Sequence, residues 1–181
     1  MTIVGQVVTL LAVVIGALTS FVVTTVGDRL RFRRERSRHW ADKKLEAYAE
    51  YLIAVKSMNQ ISRRIAAGRG IDRRAPALSG DEALALLAQA EARRAGASEM
   101  VALIGEASVV ASVRVLNREV WRLEWVARGL LDTDEVAWEA CNQAYVRALN
   151  AVHESIRRDL HIPGMSLPRE VGKPWVPELP Q

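Results

Sequence analysis

The first 27 residues carry no charged side chain, and charges begin abruptly at Asp28. Within this region, residues 3–26 read IVGQVVTLLAVVIGALTSFVVTTV, where Gln6 is the one strongly polar side chain. As a helix rising about 1.5 Å per residue, this segment is roughly 36 Å long, enough to cross a hydrocarbon core of about 30 Å. The pattern predicts one N-terminal transmembrane helix, residues 1–27.

Behind this segment, apolar residues recur at spacings of four and three residues, which is typical of helices that bury one face. The most regular series is Val109, Val113, Leu116, Val120, Leu123, Ala127 and Leu130. The stripe of a preceding helix is Ala41, Leu45, Tyr48, Leu52 and Val55, continuing to Met58, Ile61 and Ile65. The stripe of a final helix is Trp138, Cys141, Tyr145, Ala148, Val152 and Ile156.

An alanine-rich segment over residues 81–105 predicts one more helix, with Leu84, Leu87, Val101 and Ile104 as its buried positions. Ser79 and Glu82 have the spacing of a capping box at its start, and Gly105 is placed to end it. Gly129 predicts the turn before the final helix, with Asp132 or Thr133 as the N-cap.

No segment behind the apolar run has the two-residue alternation of a strand. The predicted fold class is all-α: one N-terminal transmembrane helix followed by a cytoplasmic antiparallel helical bundle. The predicted domains are a transmembrane anchor (1–27), a basic juxtamembrane helix (28–44), a helical bundle (45–162) and a Pro-rich tail (163–181).

The net charge of +4 arises from the segment next to the apolar run. Residues 28–44 contain three acidic side chains, and residues 45–181 hold 17 basic and 18 acidic ones. The eight basic residues of the flank are Arg29, Arg31, Arg33, Arg34, Arg36, Arg38, Lys43 and Lys44. Because positive charges near a spanning helix stay on the cytoplasmic side, we expect the N-terminus outside and the domain in the cytoplasm. Anionic lipid headgroups are the expected neighbours of the flank.

A cleaved signal peptide is the alternative interpretation of the apolar run. No Lys or Arg precedes the run, no A-x-A site closes it, and the arginine block follows directly. These features favour an anchor over a signal peptide. Ala12, Gly16 and Ser20 form a small-residue stripe, which raises the alternative that two such helices dimerise.

The residues offer no recognisable catalytic, cofactor or metal site. The sequence lacks glycine-rich phosphate loops, H-E-x-x-H and E-x-x-H motifs. Cys141 is the single cysteine, so no intrachain disulfide is expected, and a buried thiol in a helix is the simplest interpretation. The three histidines are scattered, and His153 beside Glu154 is typical of a surface pair. We therefore expect no enzyme and no cofactor.

Two further features suggest contacts with other molecules. Arg114, Arg118 and Arg122 share one helix stripe near Trp121 and Trp125, so they either meet an anionic ligand or cover the tryptophan faces within the bundle; the interleaved Glu119 and Glu124 favour the second. In the tail, three prolines stand at three-residue spacing; a loose chain end or a strip packed on its own bundle is the simpler interpretation, and a polyproline II strip that contacts a partner is the functional alternative. The residues of this contact are Pro174, Trp175, Pro177 and Pro180.

The order of these parts resembles a group of small single-pass membrane proteins of actinobacteria, some labelled kil-type plasmid proteins. The resemblance rests on the uncharged anchor and on RLRFRRERSRHW, KKLEAYAEYLIAVK, VWRLEWVARG, AWEA and RRDL, and covers most of residues 1–162. It implies only a membrane-attached helical protein of a group without an agreed biochemical role, and it leaves a link to plasmid maintenance or conjugative spread open.

The leading functional hypothesis is a membrane-anchored helical interaction protein that recruits an unidentified protein partner. The alternative, from another class, is a small-ligand sensor or enzyme built in the bundle core, which a buried polar cluster opening to a pocket would favour. Nucleic-acid binding is the third hypothesis and rests on residues 29–44 alone. Lipid headgroups lie closer to that flank and explain the same charges.

Overall fold

The computed structural model describes residues 39–78, 80–132 and 134–164. The chain divides into two compact units, Met1–Lys43 and Lys44–Gln181. The predicted anchor, the flank up to Arg38 and the tail from residue 165 onward lie outside the described residues. Among the helices that are described, none combines the length and the apolar character that a membrane crossing requires.

Helices account for most of the described chain. They are α1 over residues 39–68, α2 at Asp81–Ile104, α3 at Ala107–Arg128 and α4 at Glu135–Asp159. The described ranges contain no strand, so the all-α prediction is confirmed for them, as is a helical bundle. Among α2, α3 and α4, the most extensive packing joins α3 to α4.

The stripes predicted for α3 and α4 are confirmed almost throughout. On α3, Val109, Leu116, Val120, Leu123 and Ala127 are all inaccessible to solvent, and Val113 is nearly so. Leu130 is the exception, because it lies beyond the end of α3 and is 59% exposed. All six predicted core positions of α4 are buried, including Cys141, whose pKa is raised by burial.

The phase predicted for α1 is wrong in part. Tyr48, Val55, Met58 and Ile65 are buried as predicted. Ala41 and Leu45 are instead exposed, and Tyr51 and Ala54, outside the predicted stripe, are completely buried. Both sides of α1 carry large apolar residues, so spacing alone did not select the buried side. Tyr51 is tolerated in the core because its hydroxyl finds a hydrogen-bond partner there.

Small residues form much of the buried side of α2. Leu87 and Val101 are buried as predicted, but Leu84 is 51% exposed, and Ala83, Ala90 and Ala97 occupy the interface instead. The capping-box prediction is also wrong, because α2 begins at Asp81 with Gly80 as its N-cap. Gly105 ends α2 as predicted.

The helix ends around the α3–α4 turn are fixed by local hydrogen bonds. Gly129 ends α3 in the left-handed conformation, with φ +79°. The Arg69 guanidinium reaches the same end and donates to the carbonyl oxygens of Val126 at 2.6 Å and Ala127 at 3.2 Å. The N-cap of α4 is Asp134, which accepts from the Ala137 amide at 2.7 Å. The prediction of Asp132 or Thr133 as this cap is wrong.

Candidate functional site

The outward side of α3 carries two adjoining hollows, which we name together the α3 groove. The first has a volume of about 500 Å³ and is lined by Ala111, Arg114, Val115, Asn117, Arg118 and Trp121. The second has a volume of about 470 Å³ and is lined by Arg118, Glu119, Trp121, Arg122, Trp125 and Leu131. Arg118 and Trp121 line both hollows, so the two lie next to each other along α3.

Large apolar side chains are exposed in this groove. Val115 is 40% exposed, Trp125 is 44% exposed and Leu131 is 41% exposed. Val115 and Trp125 stand on the side of α3 away from its buried seam, because α3 turns about 100° per residue and the seam occupies only one face. Leu131 lies just beyond the C-terminal end of α3. A partly exposed tryptophan beside other exposed apolar side chains provides apolar contact area for another molecule.

Arginine residues rim the groove at one-turn spacing. Arg114, Arg118 and Arg122 lie at positions i, i+4 and i+8 of α3, and all three are exposed. None of them forms an ion pair with another residue of the described ranges. Elsewhere in the bundle, ion pairs join Lys44 to Asp159, Arg63 to Asp72, Arg74 to Glu139, Arg94 to Glu91 and Arg128 to Glu124. With Glu119 as the one acidic residue in its lining, the groove therefore carries a net positive charge.

A buried arginine supports the floor of the groove from α2. Arg94 is only 3% exposed and donates to both carboxylate oxygens of Glu91, at 2.7 Å from Nε and 2.6 Å from Nη2. Its guanidinium carbon lies 4.8 Å from the centroid of the Trp121 ring, a cation–π contact. The Trp121 indole N–H donates in turn to Glu91 Oε1 at 3.1 Å. These bonds fix the ring that both hollows share.

The charge state of Glu91 follows from the same contacts. Burial by itself would raise the pKa of Glu91, but the hydrogen bonds from Arg94 and Trp121 outweigh burial and hold that pKa below its usual range. Glu91 is therefore ionised at neutral pH and forms a charged, bidentate pair with Arg94.

A second set of hydrogen bonds continues from the groove into the core. Asn117 lines the first hollow and accepts from the Tyr51 hydroxyl at 2.9 Å, while its Nδ2 donates to Ser98 Oγ at 3.0 Å. The chain of bonds thus joins α1, α3 and α2. Burial raises the pKa of Tyr51, so its hydroxyl stays protonated and remains a donor. Asn117 uses both ends of its amide in this network.

Some of the predicted contact residues lie together in the structure, and others lie outside the described residues. Arg114, Arg118, Arg122, Trp121 and Trp125 come together in the α3 groove. The expectation that these arginines cover the tryptophan faces is wrong for Trp121, since Arg94 of α2 stacks on that ring instead. The predicted dimer stripe at Ala12, Gly16 and Ser20 and the tail contact at Pro174, Trp175, Pro177 and Pro180 lie outside the described residues.

Lys44, one of the basic residues assigned to the membrane flank, has a partner within the domain. Its ammonium lies 2.7 Å from Asp159 Oδ1, and its side chain is 23% exposed. Lys44 thus forms an ion pair with the last residue of α4. Among the described histidine, cysteine and acidic residues, no group of three is arranged to hold a metal ion.

Sequence reasoning missed Arg94, Asn117 and Tyr51 as members of the site. Arg94 follows Arg93 in an alanine-rich helix, and nothing in that local pattern separates the buried arginine from the exposed one. The one available signal was Tyr51, which lies three residues after Tyr48 and four before Val55, on the same helix face as both. The chain matches no protein-family model, no curated protein and no solved structure.

Proposed function

We propose that this chain is a membrane-anchored interaction protein whose helical domain binds a protein partner at the cytoplasmic face. The observation that carries the proposal is the α3 groove, where Trp125 is 44% exposed beside arginines that have no acidic partner in the described ranges. Exposed apolar patches rimmed by polar groups mark interaction sites on soluble domains. Tryptophan and arginine are the residue types that contribute most to binding at such sites.

The anchoring part of the proposal is supported by the sequence of residues 1–44. The charge-free segment 1–27 has the length of a spanning helix, and the arginine-rich flank favours an outside N-terminus and a cytoplasmic domain. Anionic headgroups would attract the flank, at about 1 kcal/mol for each basic residue near the surface. Dimerisation through Ala12, Gly16 and Ser20 is a further proposal within the anchor.

A topology experiment tests the anchor and its orientation. We expect a reporter that is active only in the cytoplasm to be active when fused after Gln181, with the protein in the membrane fraction. Replacing Arg29, Arg31, Arg33 and Arg34 by glutamine removes the charge bias and should lower the fraction in that orientation. A C-terminus labelled from outside by an impermeant reagent contradicts the orientation, and a protein found wholly in the soluble fraction contradicts the anchor.

A cross-linking experiment tests the interaction role. Formaldehyde cross-linking in cells that naturally express the protein should join the full-length chain to a defined partner. A chain that lacks residues 1–27 should lose most of that partner, because the anchor confines both proteins to one surface and raises their effective concentration. Recovery of the full-length chain as an uncross-linked monomer at every cross-linker dose contradicts an interaction role.

One observation favours a small-ligand sensor as a second candidate. The first hollow touches Asn117 and Trp121, which both belong to the buried polar network. Screening metabolites by thermal shift tests this function, because a ligand that binds only the folded state raises its unfolding temperature. Ala111→Trp, which fills the first hollow from its exposed rim, should abolish such a shift. A ligand shift unchanged by Ala111→Trp places the ligand elsewhere.

A further inference from the structure

We infer that the α3 groove binds an acidic amphipathic helix of a partner protein. The inference rests on the proposed interaction function and specifies the site and the partner's chemistry. Three features of the groove carry it: the arginines that form no ion pair, the Trp121 ring that is already held in place, and the Glu119 carboxylate that lies in sequence between Arg118 and Arg122.

The arginines determine the charge of the partner. Arg114, Arg118 and Arg122 form no ion pair within the described residues, and Glu119 is the one acidic residue that lines the groove. An acidic partner would pair with these arginines, and complementary charges accelerate association and exclude basic competitors. Binding to such a surface weakens as salt is added, because exposed charges are screened within about 10 Å at 0.1 M salt.

The spacing of the arginines determines the form of the partner. Positions i, i+4 and i+8 place three guanidinium groups along about 12 Å of α3. A second helix whose Asp or Glu residues recur every four residues repeats the same spacing along its own axis. Its apolar residues at i+3 and i+7 would then lie on Trp125, Val115 and Leu131, in the manner of an amphipathic helix in a groove.

The floor of the groove is preorganised for binding. Trp121 is held at two points by α2, through its hydrogen bond to Glu91 and through the Arg94 guanidinium over its ring. Binding therefore requires little further ordering of this side chain, and the conformational entropy lost on association is smaller than for a mobile tryptophan.

Glu119 distinguishes a protein partner from a nucleic acid or a lipid headgroup. Its Oε2 atom is buried and has no hydrogen-bond partner among the described residues. A phosphate group approaching Arg118 and Arg122 would also meet this carboxylate, which disfavours a phosphate ligand. Separated carboxylates on a helix can instead face the arginines and leave Glu119 uncontacted.

Site-specific photo-cross-linking in the full-length chain tests the inference. A benzophenone amino acid replaces Trp125, and in a matched control it replaces Leu103, an apolar residue of α2 that is 78% exposed. The expected result is an adduct at position 125 but not at 103, mapped by mass spectrometry to a segment of another protein with acidic residues at four-residue spacing.

Charge reversal provides the second measurement. Arg118→Glu with Arg122→Glu should lower the yield of the position-125 adduct on the order of tenfold or more, equivalent to at least about 1.4 kcal/mol. The control pair is Arg93→Glu with Arg147→Glu, which changes the same net charge at two exposed arginines of α2 and α4. If the two double variants give equal yields of the position-125 adduct, the inference is overturned.

Other adducts identify other occupants and also overturn it. These outcomes are a second copy of this chain, a nucleic acid, a lipid, a neutral or basic segment, or no adduct above the Leu103 control. If a partner is still recovered by formaldehyde while position 125 gives no specific adduct, the groove is the wrong site and the interaction function stands. If formaldehyde recovers no partner either, both proposals fail.

Discussion

The hydroxyl of Tyr48 donates a hydrogen bond to Oδ2 of Asp159, the last residue of α4. A negative charge at the C-terminal end of a helix is disfavoured by the helix dipole, and the Asp159 side chain is only 1% exposed. The Lys44 ammonium compensates this charge on the other oxygen. Burial and the bond to Asp159 raise the pKa of Tyr48, so the phenol remains a donor. The contact ties α1 to the end of α4.

Removing the Tyr48 hydroxyl should destabilise the bundle without leaving a large cavity. We expect Tyr48→Phe to lower the free energy of unfolding of the full-length chain in mild detergent by about 1.5–3 kcal/mol, the usual value of a hydrogen bond to a charged group. Urea unfolding followed by circular dichroism measures the change. In an Asp159→Asn background the same substitution should cost less, because the acceptor is no longer charged. Identical costs in both backgrounds would show that the two residues are not coupled.

Placing a charge in the α3 seam should unfold the domain. Leu116 and Leu123 are completely buried, so Leu116→Asp or Leu123→Asp introduces an unpaired carboxylate into the core and should cost more than about 4 kcal/mol. Arg114→Ala, on the exposed side of the same helix, should stay within about 0.5 kcal/mol. Thermal unfolding of the three variants provides the comparison. Similar melting temperatures for the leucine and arginine variants would contradict the buried seam.

Two glycine substitutions should act in opposite directions. Gly129→Ala should destabilise the domain by about 1–2 kcal/mol, because its φ of +79° is disfavoured for alanine. The added Cβ would also lie 2.9 Å from the Arg69 guanidinium that bonds the end of α3. Gly96→Ala lies within α2 with open space around its Cβ, so it should stabilise by about 0.5–1 kcal/mol. If both substitutions shift the melting temperature in the same direction, the predicted opposite effects of Gly129→Ala and Gly96→Ala are wrong.

The pair of Glu91 and Arg94 should make stability depend on pH in the acid range. Because the pKa of Glu91 is lowered on folding, its stabilisation is present above its ordinary value of 4.5 and is lost as the pH falls through the lower folded value. From about pH 5 to about pH 3 we expect the free energy of unfolding to fall more steeply for the native chain than for Glu91→Gln. Glu99→Gln, at an exposed position of the same helix, is the matched control and should retain the native slope. If the free energy of unfolding depends on pH equally in the native chain and in Glu91→Gln, Glu91 is not the cause of the acid destabilisation.

The sequence predicted the helices whose pattern is local and unambiguous. On α3 and α4 an unbroken four-and-three spacing of apolar residues marks one face, and Leu116, Val120 and Trp138 on that face are indeed core residues. Gly105 and Gly129 were recognisable as helix ends because glycine is favoured at the position where a helix stops. The aromatic and basic side of α3 was also visible, as the residues that the seam leaves outside.

The tertiary structure alone decided which polar residues enter the core. Arg94 is buried because Glu91 accepts hydrogen bonds from its guanidinium and Trp121 covers it, and Tyr51 is buried because Asn117 accepts a hydrogen bond from its hydroxyl. Each of these partnerships except that of Arg94 with Glu91 joins different helices. Helix periodicity describes one helix at a time, whereas burial of a polar group depends on a partner that another helix supplies across the interface.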